Sequence, residues 1–69
     1  MAMLKVNGVE KQFADAVPAT VKQLLEQLKV DSATVVAEID GAIVERDQFD
    51  ETVLRDGQKV ELIRFMPGG

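Results

Sequence analysis

Sixty-nine residues, 46% hydrophobic and 29% charged, suit one small folded domain rather than a disordered segment. Chains of this size bury only about 60% of their unfolded surface, which leaves no room for a large core with its own deep catalytic cleft. A formal charge of −4 argues against a nucleic-acid partner, no apolar run approaches the length of a membrane span, no secretory signal pattern opens the chain, and the absence of cysteine points to a cytoplasmic site.

The first element is a hairpin over Met3 to Phe13. Leu4 and Val6 alternate with Met3 and Lys5, and Asn7-Gly8 is a strong type I′ turn signal. Val9, Lys11 and Phe13 share one face of the returning strand, and Phe13 is the better core candidate of the three. Ala14 to Ala19 lacks periodicity, contains Pro18, and reads as a connection. Thr20 then has the marks of a helix N-cap, with Gln23 where a capping box places its partner. Val21, Leu24, Leu25 and Leu28 follow the spacing of one buried helical stripe, so a helix is expected over Val21 to Leu28 or Lys29.

Lys29 to Ala33 is polar and reads as the loop back to the sheet. Thr34 to Ile39 is rich in β-branched residues, Asp40-Gly41 repeats the hairpin signal, and Ala42 to Glu45 returns as the next strand. Arg46 to Arg55 is irregular, with Phe49 and Leu54 as its expected anchors in the core. Asp56-Gly57 is a third turn, and Lys59 to Phe65 is the last strand. Hairpin, helix, hairpin, crossing loop and strand follow the order of a ubiquitin-like β-grasp: an α+β fold with one helix across a mixed sheet of four to five strands. Residues 1–65 form the domain and residues 66–69 a tail.

The last strand poses a question of faces. Val60 and Leu62 share a side with Arg64, while Ile63 and Phe65 share the other with Glu61. With Val60 and Leu62 turned to the helix, Ile63 and Phe65 point outwards as a small apolar patch, the kind of surface that binds a partner. The competing reading has the strand twist or bulge near Ile63 and tuck Phe65 under an edge. Beyond it, Pro67 has no amide hydrogen to offer a sheet, and Gly68 and Gly69 have no Cβ, so the backbone is thin and free in φ and ψ. At about 3.3–3.6 Å per residue, Met66-Pro67-Gly68-Gly69 can project roughly 13–14 Å. Such a tail can enter another protein's active site; read blandly, it is a frayed terminus.

With no histidine and no cysteine, the commonest nucleophilic and metal-binding constellations are missing. Asp47, Asp50 and Glu51 lack calcium-loop spacing and read as a solvated loop. No Gly-rich phosphate cradle is visible, and no cofactor is called for. What remains is the terminal carboxylate of Gly69. Transfer of AMP from ATP would give it a leaving group, and a sulfur or amine nucleophile could then attack the acyl carbon. A side chain beside that carbon would crowd the attack, which is a physical reason for glycine at the last two positions.

These segments, taken in order, resemble the ThiS family of sulfur carriers over essentially the whole chain. The resemblance is carried by Val6-Asn7-Gly8, Thr20-Val21 with Leu24-Leu25-Glu26-Gln27-Leu28, and Val36-Ala37-Glu38-Ile39-Asp40-Gly41. It continues through Ile43-Val44 with Arg46, Phe49, Asp56-Gly57, Val60-Glu61-Leu62-Ile63-Arg64-Phe65 and the Gly68-Gly69 end. It implies a non-enzymatic protein co-substrate. An E1-like, ThiF-like enzyme with ATP would adenylate Gly69, a sulfur donor protein would supply sulfur for a thiocarboxylate, and a ThiG-like thiazole synthase would take it for thiamine biosynthesis. Gly68, Pro67 and Met66 would present the end, and Ile63 and Phe65 would belong to the docking face. Two departures stand out: Asp40 where the family often has Asn, which serves the turn equally well, and Pro67 where it often has a small residue. Proline before Gly-Gly is similar to the small subunits of molybdopterin synthase, so a carrier for molybdopterin, tungstopterin or another pathway is a second reading. A β-grasp interaction module with an incidental tail is a third.

Overall fold

The computed structural model describes residues 2–64. Its elements are β1 (Ala2–Val6), β2 (Val9–Phe13), α1 (Val21–Leu28), β3 (Val35–Ile39), β4 (Ala42–Val44) and β5 (Lys59–Arg64), with short 3₁₀ turns at Ser32–Thr34 and Arg46–Gln48. The five strands form one mixed sheet in the order β2-β1-β5-β3-β4. The last strand in sequence is therefore the middle strand in space, parallel to β1 and antiparallel to β3. This is the β-grasp arrangement expected from the order of elements.

Both hairpins close on the turns that the sequence marks. Asn7 and Asp40 have φ of 50° and 49°, and Gly8 and Gly41 have φ of 81° and 89°. Two successive left-handed residues make the type I′ turn, whose twist matches that of the flanking strands. The register follows: Val6 faces Val9 and Ile39 faces Ala42.

One face of the sheet is core. Leu4 and Val6 of β1, Val60 of β5, Val35, Ala37 and Ile39 of β3 and Val44 of β4 are buried against Val21, Leu24 and Leu25 of the helix, with Phe49 and Leu54. Leu28 and Phe13 are partly buried at its margin. Cover runs out at β2: Val9 is 58% exposed although it lies opposite buried Val6. Phe13 is thus the core residue of that strand, as its sequence suggested.

The helix begins at the expected cap, with one difference in the partner. Thr20 Oγ1 accepts from Gln23 N at 3.3 Å, but the Gln23 side chain accepts from Ala19 N, one residue before the cap. The amides of Val21 and Lys22 donate to the carbonyls of Thr52 and Phe49 at 3.1 and 3.0 Å. Free amides at a helix start need partners, and here the irregular 46–55 stretch supplies them. That stretch is therefore held by backbone hydrogen bonds as well as by Phe49 and Leu54. At the other end, Lys29 takes a left-handed φ of 58°, its amide donating to Glu26 O while Val30 N donates to Leu25 O. That pair of bonds is a Schellman closure, built on lysine where glycine is commoner.

Thr34 belongs to the short turn before β3 rather than to the strand, because its amide and hydroxyl both donate to Asp31 O. The expected bounds of β3 and β4 shorten by one residue each, and Phe65, placed by its sequence in the last strand, lies outside the described residues. Phe49→Ala should lower the unfolding free energy by about 3–5 kcal/mol, because Phe49 is only 2% exposed and its segment also holds the helix start. Val9→Ala should change it by no more than about 0.5 kcal/mol. Urea unfolding followed by circular dichroism measures both.

Candidate functional site

The candidate site is on the outer face of the sheet, at the described end of β5. Alternation along β5 settles the question of faces: Val60 is fully buried, Leu62 packs against the core, and Ile63 is 47% exposed on the opposite side. The β5–β3 ladder is regular from Val60 to Arg64, with partners Val60–Ile39, Glu61–Glu38, Leu62–Ala37, Ile63–Val36 and Arg64–Val35. No bulge interrupts it near Ile63; whether Phe65 tucks under an edge, the other half of the competing reading, falls outside the described residues.

Ile63 has apolar company. Val36, half-buried, stands directly opposite it on β3, and Ile43, 57% exposed, stands opposite Glu38 on β4, one diagonal step from Val36. Side chains at such diagonal positions lie within reach of one another across a sheet. Ile63, Val36 and Ile43 thus form one apolar strip across three strands, bordered by Glu38 and Glu61. The sequence reading found only Ile63. Val35-Val36 and Ala42-Ile43-Val44 are apolar on both faces, so alternation gave no signal to say which residues turn outwards.

An open groove of about 330 Å³, lined by Ser32, Ala33, Val35, Val36, Glu45 and Arg46, adjoins the strip. Val35 and Val36 face Arg64 and Ile63 across the ladder, which puts the groove at the end of the sheet where β5 finishes. Asp47, Asp50 and Glu51 are exposed on the 46–55 stretch, away from one another's service as ligands: among the described residues no cluster of acidic side chains is arranged to hold a metal ion. Phe65, Met66, Pro67, Gly68 and Gly69, named by the sequence for docking, presentation and modification, lie outside the described residues. Of the named site residues, the structure therefore places Ile63 alone.

Among the described residues the arrangement offers an exposed apolar strip beside the end of β5 and no catalytic constellation. Similarity to known proteins gives this a context. The sequence model of the ThiS family matches residues 4–69. A crystal structure of the thiamine biosynthesis protein ThiS from Geobacter metallireducens is 40% identical, with a TM-score of 0.83 over 97% of this chain and 99% of that one. A solution structure of a thiamine biosynthesis protein from the same organism gives a TM-score of 0.76 at 40% identity, over 100% of this chain and 88% of that one. Among curated proteins, a thiazole synthase from Paramagnetospirillum magneticum is 36% identical over 66 residues; these are 96% of this chain but only 20% of that protein.

The border of the strip has a measurable consequence. Glu38 and Glu61 stand directly opposite each other on the same face, an unfavourable like-charge pair. Glu61→Lys should raise stability by roughly 0.2–1 kcal/mol at low salt, and added salt should shrink the gain. Thermal unfolding at two ionic strengths checks this.

Proposed function

The chain belongs to the ThiS family, and on that premise we propose that it is a sulfur carrier whose cargo rides on the carboxylate of Gly69. The observation that carries this reading is the family match running through Gly69. The chemistry of the residues agrees with it. The chain has neither histidine nor cysteine, and its described residues contain no metal cluster, so the group to be activated is the chain end rather than a side chain.

In this reading an E1-like adenylating enzyme joins a Gly69 oxygen to the α-phosphorus of ATP and releases pyrophosphate. Hydrosulfide delivered by a donor protein then attacks the acyl carbon, the bond to AMP breaks, and a thiocarboxylate remains. The sulfur passes to thiazole formation in thiamine biosynthesis. Similarity to part of a protein named thiazole synthase supports that recipient over a pterin pathway. The need for ATP and a sulfur donor is met in the cytoplasm, where we place the protein.

The domain's role is to be gripped while its end reacts. The acyl carbon must sit at bond-forming range inside a partner's site, and holding reactants in that geometry accounts for much of a catalyst's effect. We assign Ile63 to the gripped face, with Val36 and Ile43 beside it and Phe65 following it in sequence. Met66, Pro67, Gly68 and Gly69 are the part inserted.

Adding one residue beyond Gly69 should abolish ATP-dependent adenylation by the cognate enzyme while leaving the circular dichroism spectrum unchanged. Full activity of the extended chain would refute the carrier reading. Ile63→Asp should weaken binding to that enzyme about tenfold or more, or 1.4 kcal/mol and above, by burying a charge in an apolar contact. Titration calorimetry measures it, and unaltered affinity would remove Ile63 from the docking face.

A further inference from the structure

β5 outruns its neighbour on one side. Its ladder with β3 continues to Arg64, but its parallel pairing with β1 covers only Lys59 and Val60, opposite Lys5 and Val6. β1 ends there because Asn7-Gly8 turns the chain away into β2. The backbone of β5 beyond Val60 would then have no strand beside it.

Asn7 fills the gap. Its amide donates to Val60 O at 2.9 Å, the last backbone rung between the two segments. Its side-chain Oδ1 then accepts from Leu62 N at 2.7 Å, where the next residue of a longer β1 would have offered a carbonyl. The side chain of a turn residue thus extends the ladder by one rung. The requirement is doubly restrictive. Position 7 needs a residue that tolerates φ of 50° and also carries a short side chain ending in an acceptor. Asn and Asp meet both conditions; Gly meets only the first.

The second hairpin repeats the device at the first residue of the strand. Asp40, with φ of 49°, donates its amide to Lys59 O at 2.8 Å and accepts from Lys59 N on Oδ1 at 3.0 Å. Each type I′ turn therefore uses its first residue to hold β5, Asp40 at Lys59 and Asn7 at Val60 and Leu62.

We propose that Asn7 is a positioning residue that holds the β1-facing edge of β5 at Leu62, and so sets how Ile63 and the end of that strand are offered to a partner. The functional half of this inference rests on the carrier reading; the structural half does not. Between Leu62 and the end of the chain lie only seven residues, and Ile63 of the docking strip is the next one along. A strand held at Leu62 on its β1 side, as well as by β3, fixes the placement of Ile63. With that edge released, Ile63 and Arg64 are held by β3 alone, and the added play must be removed by the partner on binding, which raises the cost of association.

The test uses the full chain with Asn7→Gly and Asn7→Asp. Glycine keeps the turn and removes the acceptor; aspartate keeps both. By NMR hydrogen exchange, the Leu62 amide of Asn7→Gly should exchange about tenfold faster relative to the Val60 amide, the scale of one lost hydrogen bond. Asn7→Asp should restore the wild-type ratio. With the cognate adenylating enzyme and ATP, Asn7→Gly should raise KM for the carrier about fivefold with kcat within about twofold, and Asn7→Asp should restore KM. An unchanged Leu62 ratio in Asn7→Gly overturns the proposal, as does faster exchange with unchanged KM. If the wild-type chain itself is not adenylated, the carrier reading fails, and the exchange ratios still decide whether Asn7 holds the strand.

Discussion

The structure depends on the hydrogen bonding of β5 along both of its edges. A parallel neighbour on one side and an antiparallel one on the other place the last strand of the sequence in the middle of the sheet. The hairpin β1–β2 and the hairpin β3–β4 do not touch through a ladder of their own; they are joined by β5. Without it there are two two-stranded ribbons, each marginal in water, sharing one short helix. Stability of the domain and placement of Ile63 are therefore set by the same strand.

Such a strand pays its loop-closure cost over nearly the whole chain length, since β1 and β5 are separated by more than fifty residues. Short polar devices reduce its play. Asp56 Oδ1 accepts from Met3 N at 2.8 Å and Gly57 N donates to Met3 O, which ties the turn before β5 to the start of β1. Asp40 secures the start of β5 and Asn7 its middle, at Leu62. Apolar contacts from Val60 and Leu62 fix the face; these bonds fix the register.

Much of this was legible in the sequence, and the parts that were not have physical reasons. The two I′ turns, the leucine stripe, the Thr20 cap and the core anchors Phe49 and Leu54 each follow from a local rule, because each depends on residues close in sequence. Alternation along β5 correctly turned Ile63 outwards. Val36 and Ile43 escaped because their strands are apolar on both sides, so period two carries no information there. The carbonyls of Phe49 and Thr52 at the helix start, and the reach of Asn7 to Leu62, join backbone groups far apart in sequence. No pattern of side-chain types encodes them. Asn7-Gly8 announced a turn and concealed a second function in the same residue.

The central claim is that the fold serves one carboxylate, by holding a docking strip and the root of the tail on a single strand. The most direct measurement is the intact mass of the protein after incubation with ATP, a sulfur source and its cognate adenylating enzyme. The account predicts replacement of one oxygen by sulfur, localised by fragmentation to Gly69, in a chain whose domain remains folded. A mass that stays unchanged under conditions where the enzyme turns over, or sulfur found at any other position, would contradict it.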